Sequence, residues 1–193
     1  MKFNPHLELI GRHATFSPSQ YHWLNYDDEK LVSRYESKKA VERGDILHAY
    51  AKTAIEMGKE YGIRPARAKK TFNMYVNDAI GFKMVPEQPL YYSEDYFGTC
   101  DSISELSTIY RTKVLRIHDL KTGETPAHME QLEVYAALFC LEYQFDPKDL
   151  EIELRIYQSD DIRIENPEPE LIQGHMNKIV NGAKIIEAHK AGE

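Results

Sequence analysis

An acid and a base lie two residues apart in the segment Asp119-Leu120-Lys121. The preceding residues alternate in character from Lys113 onward, which is typical of a β-strand. Successive side chains of a strand point to opposite faces, so Asp119 and Lys121 would share one face, roughly 7 Å apart along the strand. A carboxylate and an ammonium on an otherwise apolar face are costly to bury unless they serve each other or a ligand. A simple ion pair is the alternative interpretation of so short a motif.

A second carboxylate follows another predicted strand, in Gly98-Thr99-Cys100-Asp101. If the two strands are neighbours, Asp101 and Asp119 converge, and converging carboxylates can hold a hard divalent cation through their oxygens. The cation would offset their repulsion, lower the pKa of a bound water and polarise a phosphoryl oxygen. Lys121 could orient that water or neutralise charge that develops on a phosphate. The residue types therefore predict metal-assisted hydrolysis of a phosphate ester.

The elements that would position these residues follow from the hydrophobic periodicity of the chain. The pattern predicts helices at about 38–61, 64–79, 126–145 and 170–189, and strands at 82–92, 96–104, 113–121 and 150–157. This order of helix, three strands, helix and strand is typical of an α/β fold with one crossover helix between the third and fourth strands. We also expect a short helix after Ser17 and a hairpin connection between Ser104 and Thr112.

Composition indicates an ordinary globular chain. Of its 193 residues, 42% are hydrophobic and 28% charged, and one domain is the default expectation at this length. The sequence has neither a run of about 18 apolar residues nor the pattern of a secretory signal, so we expect a cytoplasmic protein with no membrane partner. Cys100 and Cys140 are its two cysteines. We expect both to be small buried hydrophobes, and they are too few for an iron–sulfur cluster held by four thiolates.

The net charge of −7 opposes a nucleic-acid partner, because phosphate binding depends on Lys and Arg. The charge is uneven, however. Basic residues cluster at 38–43 and 64–70, and acidic residues at 27–29 and 160–170. The basic clusters could form a groove for DNA, or they could be solvated helix faces.

Four short motifs follow one another in the chain: Gly44-x-x-x-His48, Gly98-x-x-Asp101, Asp119-x-Lys121-Thr122-Gly123 and Gln131-x-x-x-Tyr135. Each is weak alone. In this order, over about half the chain, the series resembles the RecB-like branch of the PD-(D/E)XK nucleases. The segment from Ser17 to Asn25 also looks like the start of phage-encoded proteins of this type.

The resemblance implies a single domain over 1–193, with a restriction-endonuclease-like core at about 38–158 and added terminal helices. It also implies roles for individual residues. The metal ligands would be the side chains of His48, Asp101 and Asp119 with the backbone carbonyl of Leu120; Lys121 would be the catalytic lysine, with Asp101 and Asp119; Gln131 and Tyr135 would support the site or contact DNA, and Glu87 would match an acidic position of several members. Outside this series, His48 would be an ordinary helix histidine, Tyr135 a core residue and Gln131 a solvated one.

The function that the resemblance implies is that of a divalent-metal-dependent deoxyribonuclease. We expect an exonuclease of the stand-alone phage or prophage type, acting in recombination, repair or phage DNA processing inside a bacterial or phage-infected cell. Mg²⁺ or Mn²⁺ would be its cofactor, since an imidazole ligand makes Mn²⁺ suitable. Its partners would be DNA and a single-strand annealing protein. Two alternatives stand beside this one: a nuclease-fold module that no longer cuts and only binds DNA or protein, and a metal-dependent hydrolase of another substrate.

Overall fold

A computed structural model describes residues 18–61, 70–104, 107–109, 112–123 and 125–192. The chain divides into two compact units, Met1–Ile46 and Leu47–Glu193, and the boundary falls within helix α1 (Asp28–Glu56). In the first unit, the 3₁₀ helix Pro18–Asn25 precedes α1. The side chain of Asp27 caps α1 by accepting a 2.8 Å hydrogen bond from the backbone N–H of Lys30. A single nuclease domain over the whole chain stays a prediction.

The second unit contains one mixed sheet and the helices that cover it. Its strands are β1 (Met84–Ser93), β2 (Tyr96–Ser104), β3 (Ser107–Ile109), β4 (Thr112–Leu120), β5 (Leu150–Gln158) and β6 (Asp161–Glu165), and its further α-helices are α2 (Thr71–Gly81), α3 (Glu130–Tyr143) and α4 (Pro169–Ala191). The strand order is β1-β2-β4-β5-β6, and β3 pairs with β4. The predicted mixed α/β arrangement is therefore confirmed.

Among the described strands of the main sheet, one neighbouring pair is parallel and the others are antiparallel. Strands β1, β2 and β4 are antiparallel neighbours, whereas β5 lies parallel to β4 after the crossover through α3. Strand β6 returns antiparallel beside β5. The sequence pattern predicts neither β3 nor β6. The turn before β6 consists of Ser159 and Asp160, both with positive φ (53° and 60°). That conformation is typical of a two-residue hairpin turn, but the Asn-Gly or Asp-Gly pair that usually marks one is missing.

Element boundaries also differ from the expectation in places. Helix α1 begins at Asp28 rather than at residue 38, because its first turns carry mostly exposed polar side chains and show no apolar periodicity. Helix α3 begins at Glu130, after an irregular segment that follows Pro126. The predicted helix at 64–79 corresponds to α2, and its first residues, 64–69, lie outside the described residues. The basic residues Arg64, Arg67 and Lys69 lie outside them as well.

Strand β4 separates two hydrophobic cores. On one face, Leu115 and Ile117 pack with α3 and α4, and on the other Leu120 packs with α1 and α2. The predicted alternation of β4 is therefore confirmed, with apolar residues on both faces. The strand is fixed between two packed layers, and it carries Asp119 at its end.

Among the helices that the structure describes, none combines the length and the apolar character that a membrane span needs.

Candidate metal and catalytic site

The ends of β2 and β4 bring the two central carboxylates to one place. In the antiparallel pairing of β2 with β4, Ser102 lies opposite His118, and Asp101 and Asp119 are the adjoining residues of the two strands. The backbone N–H of Leu120 donates a 2.7 Å hydrogen bond to Oδ2 of Asp101. The expected convergence of these strands is therefore present, and the backbone of β4 fixes the Asp101 side chain. This contact involves the N–H of Leu120, whereas the resemblance assigns a role to its carbonyl.

Helix α1 contributes His48 to the same place. Its Nδ1 atom lies 3.3 Å from Oδ2 of Asp101. A hydrogen bond to Asp101 raises the pKa of His48, against the opposing effect of burial. The negative charges of Asp101, Asp119 and Glu87 act in the same direction as that bond. The imidazole thus faces an accumulation of carboxylates, which is where a cation would be stabilised.

Glu87 of β1 completes a close group of possible metal ligands. Ligand atoms of His48, Glu87 and Asp101 all lie within 4.8 Å of one another. Glu87 has φ +52°, although it lies inside a strand between the paired residues Pro86 and Gln88. A residue other than glycine in this left-handed region is strained, and such strain persists where the surrounding structure imposes it. The local backbone of β1 is therefore distorted at the residue that reaches the group.

Asp119 is not a member of that close group and is instead paired with Lys121. The Nζ atom of Lys121 donates to Oδ1 of Asp119 at 3.1 Å and to Oε1 of Gln131 at 2.9 Å. It also lies 3.0 Å from Oδ2 of Asp119, but without hydrogen-bond geometry. Among the described residues, this buried oxygen accepts no hydrogen bond. Lys121 is thus held between a carboxylate and an amide.

The Asp119 carboxyl is buried, which is unusual for an acidic side chain. Its side chain is 4% exposed. Burial, followed by the charge of Asp101, raises its pKa to about 6, and Lys121 and His48 offset part of this effect. Electrostatically, Asp119 therefore belongs with the group formed by His48, Glu87 and Asp101, even though its oxygens lie outside the closest set.

The two predicted residues of α3 each stabilise one of the motifs. Gln131 accepts from Lys121, as described above. Tyr135 donates a 2.7 Å hydrogen bond from its hydroxyl to the carbonyl of Thr99. A Cβ atom at Gly98 would lie 2.9 Å from Cε1 of Tyr135. The missing side chain of the glycine in the second motif therefore leaves the room that the tyrosine ring of the fourth motif occupies.

Sequence patterns do not single out Tyr75 of α2, which lies close to the site. It is buried, at 2% exposure. Burial, followed by the charge of Asp101, raises its pKa well above the usual value, and a hydrogen bond with Ser102 opposes the effect. A tyrosine amid the apolar residues of an amphipathic helix gives no signal that distinguishes it from ordinary core.

His118 lies on the opposite face of β4 and belongs to a separate polar cluster. It is fully buried, and its Nδ1 atom lies 3.2 Å from the hydroxyl of Tyr157, which donates to Asp78 at 2.7 Å. Its ring also meets that of Phe82 edge-on. These contacts agree with a structural rather than a catalytic role. Cys100 and Cys140 are buried free thiols, as expected of small core residues.

The donor set of this site suits a hard or borderline divalent cation. Carboxylate oxygens are the ligands that Mg²⁺ and Mn²⁺ prefer, and one imidazole is compatible with Mn²⁺. One buried oxygen of Asp119 accepts no hydrogen bond from the described residues, and the carboxylates of Asp119 and Asp101 repel each other. A cation nearby would bind that oxygen and reduce the repulsion.

The chain matches no protein-family model, no curated protein and no solved structure. Its function is therefore inferred from this geometry and from the order of its motifs.

Proposed function

We propose that this protein is a divalent-metal-dependent DNA nuclease with a restriction-endonuclease-like core. The observation that carries the proposal is the group of ligand atoms from His48, Glu87 and Asp101 within 4.8 Å. Three separate elements supply these residues, and the Asp119–Lys121 pair adjoins them. The antiparallel strands β1, β2 and β4, followed by α3 and the parallel strand β5, support the core assignment. The order of the four motifs supports DNA as the substrate.

The proposed reaction is hydrolysis of a phosphodiester. The P–O3′ bond breaks as water oxygen bonds to phosphorus, and the two protons of water end on the solvent and on the leaving 3′ oxygen, which gives a 5′-phosphate and a 3′-hydroxyl. His48, Glu87 and Asp101, with Asp119 beside them, would hold Mg²⁺ or Mn²⁺. When bound, this cation lowers the pKa of water and polarises the phosphate.

The chain's own contribution is orientation and charge. Gln131 and Asp119 hold the Lys121 ammonium at the edge of the carboxylate group, where it can donate to a phosphate oxygen as negative charge develops. The backbone N–H of Leu120 and the imidazole of His48 both contact Oδ2 of Asp101 and so hold its carboxylate in place. Because these contacts exist before substrate arrives, little reorganisation is needed at the moment of reaction.

End-labelled linear, circular and single-stranded DNA, incubated with Mn²⁺, Mg²⁺ or a chelator, tests the proposal. We expect metal-dependent release of nucleotides or fragments by the wild type and none by Lys121→Ala. Lys148→Ala is the matched control, since the Lys148 ammonium forms an exposed ion pair with Glu170 at 3.7 Å; it should cleave normally. Cleavage by Lys121→Ala at the wild-type rate would contradict the assignment, and DNA binding without cleavage by the wild type would favour a module that only binds.

Metal binding is tested separately by calorimetry with Mn²⁺. Glu87→Gln should weaken binding, since it replaces a carboxylate of the close group by a neutral amide. Glu94→Gln is the matched control, because Glu94 lies exposed in the turn between β1 and β2. Equal Mn²⁺ affinity of the two variants would exclude Glu87 as a ligand.

A further inference from the structure

A cavity of about 320 Å³ opens beside Lys121. Its walls include Leu47 of α1, Phe72 of α2, Ser159 of the β5–β6 turn, and the consecutive residues Lys121, Thr122 and Gly123. Its volume is at the lower end of pockets that hold small ligands. The third motif thus borders two features: its lysine faces the carboxylates, and its last residues line this cavity.

The aromatic wall of the cavity is fixed by its neighbours. The ring of Phe72 stacks on Tyr50, with centroids 5.6 Å apart and an interplanar angle of 22°. Tyr61 meets Phe72 edge-on at 5.6 Å, and its hydroxyl donates to that of Tyr50 at 2.9 Å. The three rings therefore contact one another, and these contacts hold Phe72 at the wall of the cavity.

The facing wall is tied to the same helix. In the β5–β6 turn, the Asp160 carboxylate accepts hydrogen bonds from the backbone N–H of Thr71 at 2.9 Å and from Nζ of Lys70 at 2.5 Å. The first residue of α2 is thus bonded to the turn that carries Ser159. Both walls are preformed, so a ligand would enter without ordering them.

The chemistry of this cavity fits a nucleobase. A base has flat faces that pack on aromatic and aliphatic side chains, and polar edges that suit the hydroxyls of Thr122 and Ser159 at the walls. Lys121 borders both the cavity and the Asp119 carboxylate. A phosphate that contacts Lys121 and a base in the cavity would therefore be joined through a single sugar.

We propose that the cavity binds one unstacked nucleobase next to the phosphate that is cleaved. A base within a duplex is stacked on both sides and must leave the stack to enter such a pocket. The substrate is then single-stranded DNA or an unpaired end, bound with little sequence preference because every base has a flat face. This inference rests on the proposed nuclease function and specifies its substrate.

Single-stranded oligonucleotides with one abasic residue at successive positions test the inference. For the wild type, the single-turnover cleavage rate at a given bond should fall roughly tenfold when the abasic residue adjoins that bond, as expected from the loss of one base–aromatic contact. Phe72→Leu should cleave the intact strand about tenfold more slowly and lose this discrimination. The matched control is Phe145→Leu, since Phe145 stacks on Phe139 at 5.8 Å and lines a different cavity; it should behave as the wild type.

A second variant protects the test against misfolding of Phe72→Leu. Leu47 is 39% exposed, so Leu47→Trp can extend a larger side chain into the cavity without disturbing the core. It should slow cleavage of the intact strand more than cleavage of the strand with the adjoining abasic residue. Equal wild-type rates at every abasic position, or faster cleavage of blunt duplex than of single strand, would overturn the inference while leaving the nuclease function intact.

If no DNA is cleaved at all, the proposed function fails, and base binding is measured by itself. A single-stranded oligonucleotide that contains fluorescent 2-aminopurine should then change its emission on binding to the wild type and to Phe145→Leu, but not on binding to Phe72→Leu. The same change with all three proteins, or with none, would overturn the inference.

Discussion

Tyr135 occupies the space that a side chain at Gly98 would need. A Cβ atom there would lie 2.9 Å from the tyrosine ring, and the Tyr135 hydroxyl donates to the carbonyl of the next residue, Thr99. Two motifs that are well separated in the chain therefore form one packing unit. Because Gly98 begins the segment that ends at Asp101, this unit also positions a carboxylate of the candidate site.

Gly98→Ala should destabilise the protein by about 1–3 kcal/mol, because the added methyl group forces Tyr135 from its position. Urea denaturation measures the change in the free energy of unfolding. Gly174→Ala is the matched control: within the described part of the chain, no atom beyond the adjoining residues and backbone of its own helix, α4, lies within 4 Å of a Cβ built at Gly174. It should stabilise the protein by roughly 0.5–1 kcal/mol, since alanine favours helix. Wild-type stability of Gly98→Ala would contradict this account.

Gln131→Ala should slow DNA cleavage without loss of stability. Gln131 is exposed and accepts from Lys121, so its removal releases the ammonium from one of its two partners. If the protein is a nuclease, we expect the single-turnover rate to fall by about tenfold to a hundredfold, since misplacement of a catalytic group by about 1 Å can cost a factor of about 100. Gln173→Ala removes an exposed glutamine that bonds Asn177 at 3.0 Å, and it serves as the control. An unchanged rate for Gln131→Ala would show that Lys121 needs no such support.

Asp119→Asn should stabilise the metal-free protein above neutral pH. Folding raises the pKa of Asp119 from 3.8 to about 6, so the folded state retains a proton that the unfolded chain releases. Stability from this group is complete below pH 4 and is lost as the pH rises to about 6. A shift of this size corresponds to roughly 2–3 kcal/mol, which asparagine would recover. Denaturation in a chelator at pH 4 and pH 8 measures the difference, with the exposed Asp149→Asn as control.

Addition of Mn²⁺ at pH 8 provides the complementary measurement for Asp119. A cation that binds the folded state stabilises it by mass action. We expect Mn²⁺ to raise the stability of the wild type more than that of Asp119→Asn, because only the former offers the cation a fourth carboxylate or imidazole. An equal gain for both would show that Asp119 does not interact with the metal.

Both cysteines should resist thiol reagents in the folded protein. Burial raises the pKa of Cys100 and of Cys140 to about 12. The thiolate is the reactive form, and at pH 8 it is then a very small fraction of either thiol. Ellman's reagent should detect no thiol before unfolding and two after it. Rapid reaction of one thiol in the native protein would contradict the buried placement.

The local pattern of apolar and polar residues was enough to predict most of the helices and strands. The alternation from Val114 to Leu120 predicts β4 because each face of that strand packs on its own core. Strand β6 has no such signal, since its side chains are mostly exposed and its turn uses Ser159 and Asp160. The start of α1 is hidden for the same reason, because a solvated helix lacks an apolar stripe.

The spacing of residues predicts one pair of the candidate site but not how the other candidate residues group. Spacing along β4 places Asp119 and Lys121 on one face, and this pairing is present. The closeness of Glu87 to His48 and Asp101 depends on a left-handed residue within β1, which no periodicity encodes. The proximity of Tyr75 depends in turn on how α2 packs across the sheet. Contacts of this kind come from tertiary geometry and not from local sequence.

Adjacent residues of β4 serve the two faces of the sheet: His118 enters the buried cluster with Tyr157, and Asp119 faces Lys121. A slip of one residue in strand register would exchange them, because side chains alternate with a period of two. The imidazole would then replace the carboxylate beside Lys121, and a carboxylate would enter the cluster of Tyr157 and Asp78. Insertion or deletion of a single residue in β4 should therefore disturb both the packing of the two cores and the Asp119–Lys121 pair. The packing of the two cores therefore also determines which face of the sheet carries the Asp119 carboxylate.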